Sequence, residues 1–248
     1  MWPGPDRVIA CPSCDGLARH GTLLSGNNCG SHVWTDGYYW APMLPQPPAV
    51  VKCSHCETFF WLADARKVGH FERSARDQEG VDPAWKAARS VKELTEEQYY
   101  QALEQGLGEG VERERSLRLL TLWRRNDAHR FPEGFKGSAG SVATGACRRN
   151  LEALVALADE KNEKKEEDAL LKAEAMRELG NFDSSRRCLD AVTSRELVAI
   201  AQQIRELCDA GDVSVRERID LDATCPECGM PLLTSRARQC RFCRADWH

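Results

Sequence analysis

Cys11-Pro12-Ser13-Cys14 is answered about forty residues later by Cys53-Ser54-His55-Cys56, and no other feature leaves the chain so few ways to fold. Two cysteines separated by two residues curl the backbone into a knuckle with both sulfurs aimed at one point. Two such knuckles gather four sulfurs, the tetrahedral thiolate set that zinc accepts. The residues between them are β-branched, aromatic and turn-forming, so the expected unit is a zinc ribbon. A second set, Cys225-Pro226-Glu227-Cys228 and Cys240-Arg241-Phe242-Cys243, repeats the pattern with an eleven-residue spacer.

The sequence of 248 residues carries twelve cysteines; eight form these pairs, and Cys29, Cys147, Cys188 and Cys208 stand singly. Met1-Trp2-Pro3-Gly4-Pro5-Asp6 has no secretory pattern. No apolar run approaches the roughly 18 to 20 residues that span a bilayer. The expected setting is therefore a reducing cytoplasm with no membrane, where paired cysteines mean metal before disulfides. Two structural Zn2+ ions are the expected cofactors, with iron–sulfur ligation as the other metal reading. The formal charge is −4, and two tetrathiolate zinc sites would make it more negative. That balance argues against nucleic-acid binding over the whole surface and leaves room only for a local basic patch.

Short β runs flank the first knuckles at 7–10, 49–52 and 58–62. Val33-Trp34-Thr35 and Tyr38-Tyr39-Trp40 bracket Asp36-Gly37, which predicts a two-residue hairpin turn. The proline run 42–48 reads as an extended connector.

The succession Cys11-Pro12-x-Cys14, Thr22-Leu23-Leu24-Ser25-Gly26-Asn27, Trp34-Thr35-Asp36-Gly37, Ala41-Pro42-Met43-Leu44-Pro45, Val51-Lys52-Cys53-Ser54-His55-Cys56 and Phe60-Trp61-Leu62 resembles the N-terminus of a group of bacterial zinc-ribbon proteins of unassigned activity. The resemblance covers roughly residues 8–70. It implies a metal-binding ribbon and a bacterial, cytoplasmic setting, and it brings no reaction. Cys29 and His32 depart from the pattern.

Beyond the ribbon the chain reads as helical. Asp82-Pro83 starts a short helix holding Trp85, and Thr95 with Gln98 forms a capping box for the next. Further helices are expected at about 111–128, 145–160 and 165–179, then from Asp183 and from a second capping box of Thr193 and Glu196. Gly134–Ser141 lacks the Gly-Lys-Ser/Thr ending of a phosphate loop and reads as a linker, and the charged run 160–168 reads as a solvated turn and helix start. Residues 169–192 resemble one tetratricopeptide repeat, with small Ala173, a Gly180-Asn181-Phe182 turn, then Ser185 and Leu189. Ser185 replaces the usual smaller residue, no closing Pro follows, and no second copy appears about 34 residues away. An ordinary antiparallel bundle is the equal alternative.

The expected fold class is α+β: an N-terminal zinc ribbon (1–70), a helical, tetratricopeptide-like domain (82–210) and a small C-terminal zinc ribbon (211–248) that needs metal to fold. The expected metal ligands are Cys11, Cys14, Cys53 and Cys56, and Cys225, Cys228, Cys240 and Cys243. Four thiolates leave zinc no open position, so both sites read as structural. A catalytic zinc using Cys29 or His32 is the sharper alternative. His55 reads as a spacer, and Cys147, Cys188 and Cys208 as small apolar residues on helix stripes. Trp34, Tyr38, Tyr39 and Trp40 read as cover for the ribbon, or else as a stacking or docking surface.

Arg236, Arg238, Arg241 and Arg244, with Phe242 and Trp247, make the C-terminal ribbon the one candidate for phosphate contact. They equally balance a −2 zinc centre. No nucleophile elbow, zinc-protease motif, dinucleotide fingerprint or phosphate loop is present, which points away from an enzyme. The expected function is a non-catalytic adaptor for a protein partner, with nucleic-acid association through the C-terminal arginines as the alternative.

Overall fold

The computed structural model describes residues 1–72, 80–131, 142–160, 165–218, 225, 227–228, 239–240 and 242–246. The chain is α+β. In order, its strands are β1 (Trp2–Pro3), β2 (Asp6–Ala10), β3 (Leu17–His20), β4 (Leu23–Ser25), β5 (His32–Val33), β6 (Tyr39–Trp40), β7 (Val50–Lys52), β8 (Phe59–Trp61), β9 (Arg66–Phe71) and β10 (Arg89–Ser90). Its helices are α1 (Pro83–Ala87), α2 (Glu96–Glu104), α3 (Val111–Arg130), α4 (Gly145–Glu160), α5 (Glu166–Glu178), α6 (Phe182–Leu189) and α7 (Arg195–Asp209). They fall into two compact units, Met1–Cys29 with Ala41–Leu117, and Gly30–Trp40 with Arg118–His248. The hairpin 30–40 therefore packs within the second unit, among the helices.

In the first unit a four-stranded sheet runs β10-β3-β2-β9, with β2 antiparallel to both neighbours and β10 parallel to β3. β2 is central because Val8, Ile9 and Ala10 are buried on both faces, a run only an interior strand can hide. β7 and β8 form a separate hairpin. Ile9, Cys11, Val51, Cys53, Phe60 and Ala65 make one core, so the first cysteine of each N-terminal pair is also a core residue. Each large apolar side chain buried there contributes roughly 1.5–3 kcal/mol. Gly69 on β9 is required by packing, since a Cβ there would lie 2.1 Å from the Trp85 ring of α1. Asp82 caps α1 through Ala84 N–H at 2.8 Å, and the Thr95–Gln98 box caps α2.

In the second unit α5, α6 and α7 share a core of Leu170, Ala173, Leu189, Ile200, Ala201, Ile204 and Cys208. Leu122 of α3, Cys147, Leu151 and Leu154 of α4, and Ala175 of α5 make another. α5 ends on Gly180 at φ 77°, a left-handed position that lets Asn181 N–H return to the Met176 carbonyl at 2.8 Å. The start of α7 departs from expectation: Thr193 and Glu196 form no capping box. The N-cap is Ser194, without a side-chain cap. The carboxylate of Glu166 instead accepts from the Thr193 hydroxyl at 2.9 Å and the Ser194 N–H at 2.9 Å, so the first turn of α5 caps α7.

The turn between β5 and β6 also differs from the expected two-residue type. The type I′ turn that Asp-Gly favours needs φ > 0 at both central residues, and only Gly37 has it, at 79°. Gly37 N–H bonds to the Trp34 carbonyl, and Trp34 N–H to that of Tyr38, both at 2.9 Å, making a three-residue loop of Thr35, Asp36 and Gly37. The loop Gly134–Ser141 and part of the charged run 160–168 lie outside the described residues.

Candidate metal centres and a buried polar network

Cys11–Cys14 turns the chain from β2 into β3, and Cys53–Cys56 turns it from β7 into β8. The two turns share one backbone geometry. Cys11 N–H bonds to the Gly16 carbonyl and Asp15 N–H to that of Cys11, both at 3.0 Å; Cys53 with Thr58 (2.9 Å) and Glu57 with Cys53 (3.1 Å) repeat the pair. Asp15 and Glu57 occupy the left-handed region, at φ 56° and 61°. The N–H groups of Ser13 and His55 each point at the preceding cysteine sulfur at 3.4 Å. Cys240 repeats every part: bonds with Ala245 and Arg244 at 2.8 Å, Phe242 N–H to its sulfur at 3.3 Å, and Arg244 at φ 61°.

The sulfurs converge. Cys11 and Cys56 are 3.8 Å apart and Cys14 and Cys53 3.7 Å; Cys225–Cys243 and Cys228–Cys240 are both 3.6 Å. Within each set all four sulfurs lie within 4.8 Å of one another. A tetrahedron with Zn–S bonds of ~2.3 Å has an S···S edge of ~3.8 Å, whereas a disulfide needs ~2.05 Å. The spacing therefore fits one tetrathiolate metal ion per set and no disulfide. In both sets the first cysteine of each pair is buried and the second exposed. N–H groups aimed at sulfur stabilise thiolate, the form a metal binds.

Without a cation four crowded thiols cannot ionise together. The Thr58 hydroxyl and N–H hold the Cys56 thiol down at about 6. The Gly16 N–H favours the Cys14 thiolate, but the sulfurs around it prevail and push that thiol up to about 12. A divalent ion removes the conflict.

Cys29 and His32 belong to neither set. His32 Nδ1 instead pairs with Glu217 at 2.6 Å, and its ring sits beside Trp34 and Trp40. Cys147 and Cys208 are buried in the helical cores, and Cys188 packs against one of them. Of the four C-terminal arginines only Arg244 is described, in its knuckle turn; Arg236, Arg238 and Arg241, with Trp247, lie outside the described residues.

The aromatic hairpin is placed differently from the expected ribbon cover. Tyr38 packs edge-on to Trp123 of α3, Trp34 and Trp40 edge-on to Phe131, and the Arg130 guanidinium lies over the Trp34 and Tyr38 rings. Beneath them runs a buried polar network that the residue pattern concealed. Asp36 binds Arg130 and accepts from Asn126 Nδ2 at 3.0 Å. Asn126 Nδ2 also reaches Glu178 at 2.9 Å, and Arg130 reaches Asp127 at 3.1 Å. The Thr35 hydroxyl donates to Glu174 at 2.5 Å, which is forked by Arg177 at 2.5 and 2.9 Å. Glu174, Arg177 and Glu178 stand at i, i+3 and i+4 on α5 and so on one face, a spacing visible in the sequence but equally that of a solvated ion pair.

The segment after α7 completes the hairpin. Thr35 N–H bonds to the Arg216 carbonyl at 2.8 Å and Arg218 N–H to that of Val33 at 2.7 Å, so 216–218 lies along β5 like a third strand. Among the described residues no helix is long and apolar enough to cross a membrane. Compared with known proteins, the chain matches no protein-family model, no curated protein and no solved structure.

Proposed function

We propose that this chain is a non-catalytic, zinc-stapled adaptor whose helices present a surface to a protein partner in a bacterial cytoplasm. The observation that carries it is the pair of tetrathiolate sets with S···S distances of 3.6–3.8 Å, closed sites that fix structure and leave no ligand position for substrate. A tetrahedral sulfur set takes zinc or iron, and zinc is the metal proposed because closed four-cysteine sites are its usual structural form. A tetratricopeptide-like role for α5 and α6 is supported by their close crossing. Ala173 and Ser185 are both fully buried, and the Ser185 hydroxyl donates to the Ala173 carbonyl at 2.7 Å. Small residues there let the helices approach, as partner-binding helical hairpins require.

The deciding experiment is capture of the tagged, zinc-loaded chain with its partners, with and without nuclease. A stoichiometric protein that survives nuclease supports the adaptor. Loss of all partners on nuclease treatment, with binding that falls steeply in salt, would replace it with phosphate contact through Arg236, Arg238, Arg241 and Arg244.

A further inference from the structure

The polar network of the second unit holds more buried acid than base. Asp36, Asp127, Glu174 and Glu178 are all at most 4% exposed. Two guanidiniums are buried with them, and both are engaged elsewhere: Arg130 by Asp36 and Asp127, Arg177 by Glu174 and the Asp212 carbonyl. Arg124 adds a third cation to Asp127 at 2.9 Å, and Arg216 is taken up by Asp212 at 2.6 Å. Glu178 alone has a single neutral donor, the Asn126 amide, and it stands one turn from Glu174 and shares that amide with Asp36. A carboxylate so placed meets two like charges in a buried setting, which favours the protonated acid.

We propose that Glu178 carries a proton in the folded chain and acts as a latch, holding the hairpin 30–40 among α3 and α5 while protonated and loosening it when the proton leaves. The groups acting on it are Asp36 from the hairpin, Asn126 from α3, and Glu174 and Arg177 from α5. Behind them Arg130 pairs with Asp36 and Asp127, Arg177 reaches the Asp212 carbonyl, and Arg216 pairs with Asp212. Burial, then Glu174 and Asp36, push its carboxyl up to about 8 from an ordinary value of 4.5. The unfolded chain ionises above about 4.5 while the folded chain keeps its proton until about 8. Between these values the folded state binds more protons, so stability is full below the window and falls as pH rises through it.

The test compares zinc-saturated wild type with Glu178→Gln, which mimics the protonated acid, in urea unfolding at pH 6, 7 and 8. The wild-type folding constant should drop relative to the variant by up to about tenfold per pH unit. Amide protection at 32–40 should fall with pH in the wild type and hold in the variant. Parallel pH profiles, or a hairpin whose protection ignores pH in both, would overturn the latch. Should the variant not fold, the 13C carboxyl resonance of Glu178 in the wild type decides: a midpoint well above 4.5 supports the proposal and one below 5 in line with ordinary glutamate sinks it.

Discussion

The imidazole of His55 lies across Gly16. A Cβ at Gly16 would stand 2.5 Å from the ring, and His55 Nε2 donates to the Leu17 carbonyl at 3.2 Å. One knuckle is thus braced on the backbone of the other, and the side chain that reads as a spacer fixes how the two halves of the first metal centre meet.

Gly16→Ala should therefore force the ring aside and destabilise the first unit by about 1–3 kcal/mol, the usual range for overpacking. His55→Ala removes the brace without a clash and should cost less. Both variants should release metal to a chelator faster than the wild type while still binding two ions per chain. Unchanged release kinetics in Gly16→Ala would show that the brace does not position the centre.

The knuckle turns place Glu57 at φ 61°, a region that costs a non-glycine L-residue about 1 kcal/mol or more. Its ion pair with Lys52, at 3.3 Å and largely exposed, offsets little of that. Glu57→Gly should leave stability unchanged or raise it by a few tenths of a kcal/mol, while Glu57→Val should lower it by about 1–2 kcal/mol. Thermal unfolding of the zinc-loaded variants distinguishes the two directions.

What the residue pattern revealed and what it hid follow from the range of the interactions. A Cys-x-x-Cys knuckle is a local object, and so are the Asp82 and Thr95 caps, so these are legible from neighbours. The site of the hairpin is not. Thr35 meets Glu174 across 139 residues and Asp36 meets Asn126 across 90, and every partner is a polar residue that periodicity assigns to solvent. The same blindness explains α7, where Glu196 matched a capping box but Glu166, 28 residues away, takes the Ser194 N–H. β3 and β9 escaped because their basic and apolar residues fall in no alternating pattern, as in Leu17-Ala18-Arg19-His20.

Metal content separates the two centres. The wild type should bind two zinc ions, and Cys11→Ser or Cys225→Ser should each bind one. Because Cys11 and Cys53 belong to the core of the first unit, Cys11→Ser should also broaden that unit's unfolding, whereas Cys225→Ser should leave the β2 and β9 amides protected. Chelation should reproduce both losses, since metal-binding energy in such sites is folding energy. Two ions retained in Cys11→Ser would remove that residue from the ligand set.

Acid should act on the second unit through Glu166. Hydrogen bonds from Ser194 and Thr193, through both N–H groups and the Thr193 hydroxyl, hold its carboxyl at about 2, below the ordinary 4.5. A depressed pKa means that the ionised form is bound in the fold. The contribution is complete above about 4.5 and is lost as pH falls from there toward 2. Glu166→Gln should weaken the start of α7 at pH 7, seen as faster exchange of the amides at 193–198, and the gap from the wild type should close on acidification. The direction is opposite to that of Glu178, whose contribution fades as pH rises. One carboxylate on α5 thus makes the fold sensitive to acid and the other makes it sensitive to base, and the double variant with glutamine at both sites should show a flatter pH profile than either single one. A double variant whose profile matches Glu178→Gln alone would mean that Glu166 is too well solvated to matter, and that α7 is held chiefly by the packing of its own Ile200 and Ile204 against Leu170 and Ala173 of α5 and Leu189 of α6.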